Sequence, residues 1–144
     1  MQPQSYTNHR QFVPAFHYIL FPLLTLTLIG SMVNLSMSLG DHQRLYSASL
    51  ICVLTIAMLI LFFLARVFPL RAQDRAIRAE ESLRHYVLTG KLPDPRLTVR
   101  QFIGLRFASD EEFPALAQRA VAENLSTDAI KKAVKNWRAD TYRV

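Results

Sequence analysis

The side chains best suited to ligand chemistry in this 144-residue chain are its four histidines, His9, His17, His42 and His85. Two of them fall in the stretch NHRQFVPAFHY (residues 8–18), beside Asn8, Arg10 and the aromatics Phe12, Phe16 and Tyr18. Neutral imidazole is a good metal ligand, and a b-type haem held by two axial histidines is the cofactor chemistry such a stretch invites. Only His17 lies beside a long apolar run, however, so haem ligation would need a second chain. Other catalytic patterns are absent: there is no phosphate-cradling glycine loop, no Cys/His cluster and no nucleophile elbow. The adjacent acids Glu80/Glu81 and Asp110/Glu111/Glu112 fall at helix faces or helix starts, where solvation and the helix dipole account for them. The expectation is a non-enzyme with no metal and no cofactor, leaving Asn8, His9 and His17 as candidate ligand residues at an interface.

The elements that would position these residues are set by a sharp charge asymmetry. Between Pro14 and Leu64 the only acid is Asp41 and the only arginine is Arg44. A membrane-spanning helix needs about 20 mostly apolar residues, and the chain supplies two such runs, 16–39 and 45–65, joined by the loop 40–44. The expected fold class is therefore all-α: an antiparallel two-helix transmembrane hairpin (16–65) between an N-terminal segment (1–15) and a small helical module (66–144). The first run is longer than the h-region of about 7–15 residues found in a cleaved signal peptide, so it is expected to be retained. Arg66, Arg71, Arg75 and Arg78 crowd one end of the spans, while Arg44 in the loop is balanced by Asp41. The positive-inside rule then places both termini in the cytoplasm. Cys52 is the lone cysteine, and it lies within a span, so no disulfide framework exists.

Helices in lipid associate through small residues and interhelical hydrogen bonds. Gly30, Ser31, Asn34 and Ser38 in the first span, and Ser49, Cys52 and Thr55 in the second, are the expected packing residues. No Asp, Glu, Lys or Arg lies deep in either span, which removes the usual marks of proton or ion transport. The aromatics Phe12, Phe16, Tyr18, Phe21, Phe62, Phe63 and Phe68 form one interfacial belt.

Beyond the spans, Pro69 predicts an elbow. A helix ending at Gly90 should follow, with Ala72, Ala76, Ala79, Leu83 and Tyr86/Val87 on its apolar face and Arg71, Arg75, Arg78 and His85 on another. Asp74 and Arg78, and Glu80 and Arg84, are expected i,i+4 pairs. Capping boxes at Thr98/Gln101 and Ser109/Glu112 start two further helices, and Ser126 or Thr127 caps a last one. On that helix Ile130, Ala133, Val134 and Trp137 form one face and Lys131, Lys135 and Arg138 a second, basic one. From Arg66 onward, fifteen Lys and Arg stand against ten Asp and Glu. The basic faces suit an anionic inner leaflet. A nucleic-acid-binding reading is the weaker alternative, since no recognition helix or stacking platform stands out.

The segments QSYTNHRQFVPAFHY, LTVRQFIGLRFASDEEFPALAQRA and IKKAVKNWRADTYRV resemble an uncharacterised family of small bacterial inner-membrane proteins, a domain of unknown function. The resemblance covers essentially the whole chain. It implies a two-span membrane protein with a cytoplasmic helical tail, and it implies no activity and no functional residue. The combined expectation is an accessory or scaffold subunit whose partners are the bilayer and other membrane-protein subunits or further copies of itself. The alternative is a ligand or cofactor binder, although Asn8, His9 and His17 read first as a polar clasp between the N-terminal segment and the tail.

Overall fold

A computed structural model describes residues 4–9 and 13–140. Among them the fold is all-helical. A π-helical segment, Ala15–Leu20, runs into α1 (Phe21–Met37), followed by α2 (His42–Thr89), α3 (Val99–Leu105), α4 (Phe113–Ala122) and α5 (Thr127–Ala133). No strand forms among the described residues; Ala108 and Trp137 make an isolated antiparallel bridge. The chain divides into two compact units, Gln11–Phe68 and a module of Met1–Arg10 with Pro69–Val144.

In the unit Gln11–Phe68, Pro22 sits in the first turn of α1. Its ring lacks an N–H and crowds the carbonyl four residues back. The preceding turn is wound as a π-helix, with the Phe21 N–H bonded to Phe16 O, five residues back. Asp41 caps α2, its Oδ1 accepting from the N–H groups of Gln43 and Arg44 at 3.2 Å each. That cap starts α2 at His42, so the expected loop 40–44 is shorter than its sequence suggested.

The large apolar side chains of this unit face outward, with Leu26 67%, Val53 62% and Leu54 61% exposed. The residues withdrawn from the surface are mostly small or polar: Ser31, Ser38, Ala48, Cys52 and Thr55, together with Phe62. Ser31 Oγ lies 3.1 Å from Thr55 Oγ1. One hydroxyl donates across to the other, whose own proton turns back to its helix, where Ser31 Oγ lies 2.8 Å from Leu28 O and Thr55 Oγ1 2.9 Å from Cys52 O. The inward positions of α2 recur at steps of four and three: the buried Ala48, Cys52, Thr55 and Phe62, with the half-buried Leu59 between them. On α1 the same rhythm selects Leu28, Ser31, Leu35 and Ser38, which leaves Gly30 and Asn34 exposed and Ser49 half-buried. A Cβ added at Gly30 would meet nothing within 4 Å.

In the second unit the expected separate helix after Pro69 does not start anew, because α2 stays helical through Pro69. A proline inside a helix removes one hydrogen bond, at a cost of about 3 kcal/mol. Good helix formers on both sides, Ala65 and Arg66 before it and Leu70, Arg71 and Ala72 after it, let the helix carry that loss. Gly90 ends α2 with φ +71°, and its N–H bonds to Tyr86 O at 2.7 Å.

The face of α2 turned inward is not the expected one. Ile77, Glu81 and His85 are buried, whereas Ala72, Ala76, Ala79, Leu83, Tyr86 and Val87 are exposed. The polar stripe is satisfied from outside the helix. Arg84 bonds to Glu81 at 2.9 Å, to Asp110 at 2.6 Å and to Ala108 O at 2.7 Å, and lies over the Phe113 ring. His85 Nδ1 is 2.9 Å from Lys91 O. Arg84 is thus taken by Glu81 and Asp110 rather than Glu80, and among the described residues Asp74 and Arg78 form no ion pair.

Phe102, Leu105, Phe107, Phe113 and Ile130 are the largest fully buried side chains and mark the centre of this module. Thr98 and Gln101 form the expected reciprocal cap of α3. Gln101 then reaches Ala120 O at 2.9 Å and Leu125 O at 3.2 Å, tying α3 to the end of α4. A Cβ at Gly104 would stand 3.0 Å from Ile130, so α3 and α5 touch there only because the side chain is missing. Helix α4 starts at Phe113, later than a cap at Ser109 would place it. The Glu112 carboxylate instead accepts from the backbone of Ser109, Lys135 and Asn136 at 3.2–3.3 Å. At the other end of α4 Asn124 turns left-handed (φ 47°), and Leu125 N–H closes on Ala120 O at 3.0 Å.

Ser126 caps α5, its side chain accepting from Ala129 N–H. The helix stops at Ala133, where Val134 turns extended. Trp137 is therefore not a helical residue, and Lys131, Lys135 and Arg138 share no helix face. Backbone pairing wins over continuation: Arg138 N–H bonds to Phe107 O at 2.8 Å and Ser109 N–H to Asn136 O at 3.1 Å.

Candidate functional site

Three elements of the module converge on the N-terminal segment: the end of α3, helix α5 and the extended strip after it. Tyr6 donates its hydroxyl to Asp128 Oδ1 at 2.7 Å. The Lys132 ammonium, 3.0 Å from the other Asp128 oxygen, lies 5.3 Å from the Tyr6 ring centroid. The Tyr6 hydroxyl first, and Lys132 second, hold the Asp128 carboxyl below its ordinary value, while Asp128 raises that of Lys132.

His9 fits between rings and a cation. Its centroid is 5.9 Å from that of Phe107 and 6.0 Å from that of Trp137. Nδ1 is 2.6 Å from Tyr6 O, and Nε2 is 3.1 Å from Lys131 Nζ. Since an ammonium only donates, Nε2 accepts, and the proton on a neutral ring sits on Nδ1. Gln4 adds two bonds to the Asp140 backbone, at 3.3 Å and 2.8 Å. Asn8 closes the segment's own turn, accepting from Ser5 N–H at 2.6 Å. Asn8 and His9 thus serve the clasp.

His17 belongs to the other unit. There its Nδ1 lies 3.2 Å from Val13 N and 3.0 Å from Val13 O, and its ring meets Phe16 edge-on. His42 is exposed at the start of α2. His85 lines a shallow open cavity with Asp94, Arg96, Leu97, Gln118 and Val121. In that cavity the Arg96 hydrogen bonds hold the Asp94 carboxyl down at about 2. Among the described residues no three of His, Cys, Asp and Glu are grouped to hold a metal ion.

Of the basic candidates, Arg71, Arg75 and Arg78 are exposed on α2. Lys131 is engaged by His9 and lies over Phe107. Lys135 is exposed, and Arg138 lies 3.6 Å from the buried Glu81. Sequence reasoning did not find Tyr6, Asp128 or Lys132: Asp128 and Lys132 are an i,i+4 pair, but Tyr6, which joins them, lies more than a hundred residues away in the chain. The aromatic and polar residues packed into residues 4–9 were the available signal.

Fold and site together define a small all-helical protein with two helices long and apolar enough to cross a membrane. Its clasp arises where the N-terminal segment docks on the helical module. The chain belongs to a family of unknown function, DUF6526, whose profile matches residues 1–144. No curated protein and no solved structure matches it.

Proposed function

We propose that the chain is a non-enzymatic scaffold or accessory subunit of a bacterial inner-membrane assembly. It inserts the two long apolar helices as an antiparallel hairpin and presents the clasped module to partner subunits in the cytoplasm. The observation that carries this reading is the outward display of large apolar side chains, such as Leu23, Leu26, Ile29, Val53, Leu54 and Leu61, in the unit Gln11–Phe68. Apolar surface on that scale is costly in water and costs nothing among lipid tails. Only 6% of the most apolar window of the first helix and 22% of that of the second are buried, unlike the core helix of a soluble protein. Arg66, Arg71, Arg75 and Arg78 favour the cytoplasmic side, and Arg44 pairs with Asp41 at 3.3 Å in the opposite turn.

The N-terminal segment supports a structural role for Asn8 and His9 in this reading, since their polar atoms bond to the chain itself. Crosslinking in native membranes followed by identification of the products tests the proposal. The expected result is a discrete set of membrane-protein partners or a homo-oligomer. Recovery of the chain in the soluble fraction, or as a lone monomer in the membrane, overturns it.

A further inference from the structure

The strongest apolar periodicity of the module has no partner inside it. Along α2, Ala72, Ala79 and Tyr86 recur every seventh residue, and Ala76 and Leu83 recur at the same interval between them. Alternating steps of four and three describe a seam of the kind that packs one helix on another. In this chain the seam faces outward: Leu83 is 63%, Tyr86 51% and Val87 74% exposed. The opposite face of the helix, with Ile77, Glu81 and His85, makes the contacts to the module's own core.

Charge selects the occupant. With Ala76 and Leu83 at the first core position of the repeat and Ala72, Ala79 and Tyr86 at the second, Arg75 and Glu80 occupy the two flanks. They are five residues apart. In a parallel pair of helices that is the spacing at which one chain's flanking residue meets the oppositely placed flank of the other chain. Arg75 of each copy would therefore meet Glu80 of the other, twice by symmetry. Both side chains are exposed, and neither forms an ion pair among the described residues. The alanines allow close approach, and Leu83 and Tyr86 supply the larger contacts.

The geometry points to a parallel homodimer of this protein, packed along Ala72–Ala76–Ala79–Leu83–Tyr86 of α2 and set in register by reciprocal Arg75–Glu80 pairs. The inference rests on the membrane reading above in one respect: two copies inserted with the same orientation send this part of α2 in the same direction. So short a seam would be marginal between free chains in water. Confinement to one bilayer raises the effective concentration and removes most of that cost.

The test uses the full chain in native-like vesicles, with Cys52 replaced by Ser and single cysteines introduced by Ala76→Cys, Ala79→Cys and Leu83→Cys on the seam. Arg71→Cys and Arg78→Cys serve as exposed controls on another face. Oxidation should join like positions on the seam into disulfide-linked dimers at least tenfold faster than the controls, because only a parallel pair brings a residue next to its own copy. In the Ala79→Cys background, Arg75→Glu alone should lower dimer formation roughly tenfold by turning two attractions into repulsions, and adding Glu80→Arg should restore it.

Equal crosslinking on both faces, no crosslinking, or adducts with other proteins in place of the dimer would overturn the inference. So would seam cysteines shielded from aqueous maleimide without dimer, the outcome expected if lipid covers this face. Carbonate extraction of the same vesicles separates the two readings: resistance to extraction without a dimer defeats the dimer alone, whereas release from the membrane defeats the membrane reading.

Discussion

In the unit Gln11–Phe68 the side chains hidden from the surface include Ser31, Ser38, Ala48, Cys52 and Thr55, whereas in the module they include Phe102, Leu105, Phe107, Phe113 and Ile130. Leucines, isoleucines and valines cover the outside of the first, and Arg, Lys and Glu cover much of the second. On the membrane reading proposed above, the same physics produces both arrangements under different solvents. In water, burying an apolar side chain is the main driving force. Among lipid tails that force vanishes between helices, and what remains is close packing plus the need to satisfy every hydroxyl. On that reading the Ser31–Thr55 contact and the ring of Phe113 under Arg84 are equivalent solutions in opposite media.

The widest test of that contrast is truncation of one large apolar side chain in each unit. Phe113→Ala removes a fully buried ring and should destabilise the module by about 3–5 kcal/mol, read by chemical denaturation of the purified chain. Leu26→Ala removes a side chain 67% exposed and should leave that transition in place. If the two cost the same, the units do not differ as argued. Reversing the experiment gives the next largest effect: Leu26→Arg should oppose insertion by about 2.5–3.5 kcal/mol and reduce the membrane-integrated fraction. Leu92→Arg, at a site 77% exposed in the module, should change stability by less than about 0.5 kcal/mol.

How much of this was legible in the sequence follows the range of the interactions. The two apolar runs, the Thr98/Gln101 cap and the Gly90 stop were readable because each signal is complete within a few residues. The inward face of α2 was not. Most of its apolar residues point outward, and beside Ile77 the inward ones are Glu81, His85 and the half-buried Arg84, with partners Asp110, Ala108 O and Lys91 O outside the helix. Periodicity finds the stripe that is apolar, and here that differs from the stripe that packs at home. The early end of α5 was hidden for the same reason, since the Phe107–Arg138 and Ser109–Asn136 backbone bonds depend on distant pairing. Within the two apolar helices, only three-dimensional register separated the buried Ser31 from its exposed neighbour Gly30.

A smaller effect tests the hydroxyl contact itself. Ser31→Ala should cost only about 0.6 kcal/mol, measured as a shift in reversible unfolding in detergent, because Thr55 keeps its bond to Cys52 O. A loss several times larger would mean that Ser31 supports more than a helix contact.

The finest test lies in the clasp, where Tyr6 joins the N-terminal segment to α5. The Tyr6 hydroxyl is the leading cause that lowers the Asp128 carboxyl from its ordinary 3.8, ahead of Lys132. A carboxyl whose folded value is depressed contributes stability that is present above its unfolded value and lost as pH falls through the folded one. The clasp should therefore hold above about pH 4 and loosen in more acidic solution. Tyr6→Phe keeps the ring beneath Lys132 while deleting the donor, so Asp128 should titrate closer to 3.8 in a carbon-detected NMR titration, and the acid loosening should begin at a higher pH. An unchanged Asp128 titration would show that Lys132 alone sets the carboxyl and that the Tyr6 hydroxyl does not hold the segment in place. The module's outside would then resemble the hydroxyls between the apolar helices less than the geometry suggests, because there a single neutral donor is what links one element to another.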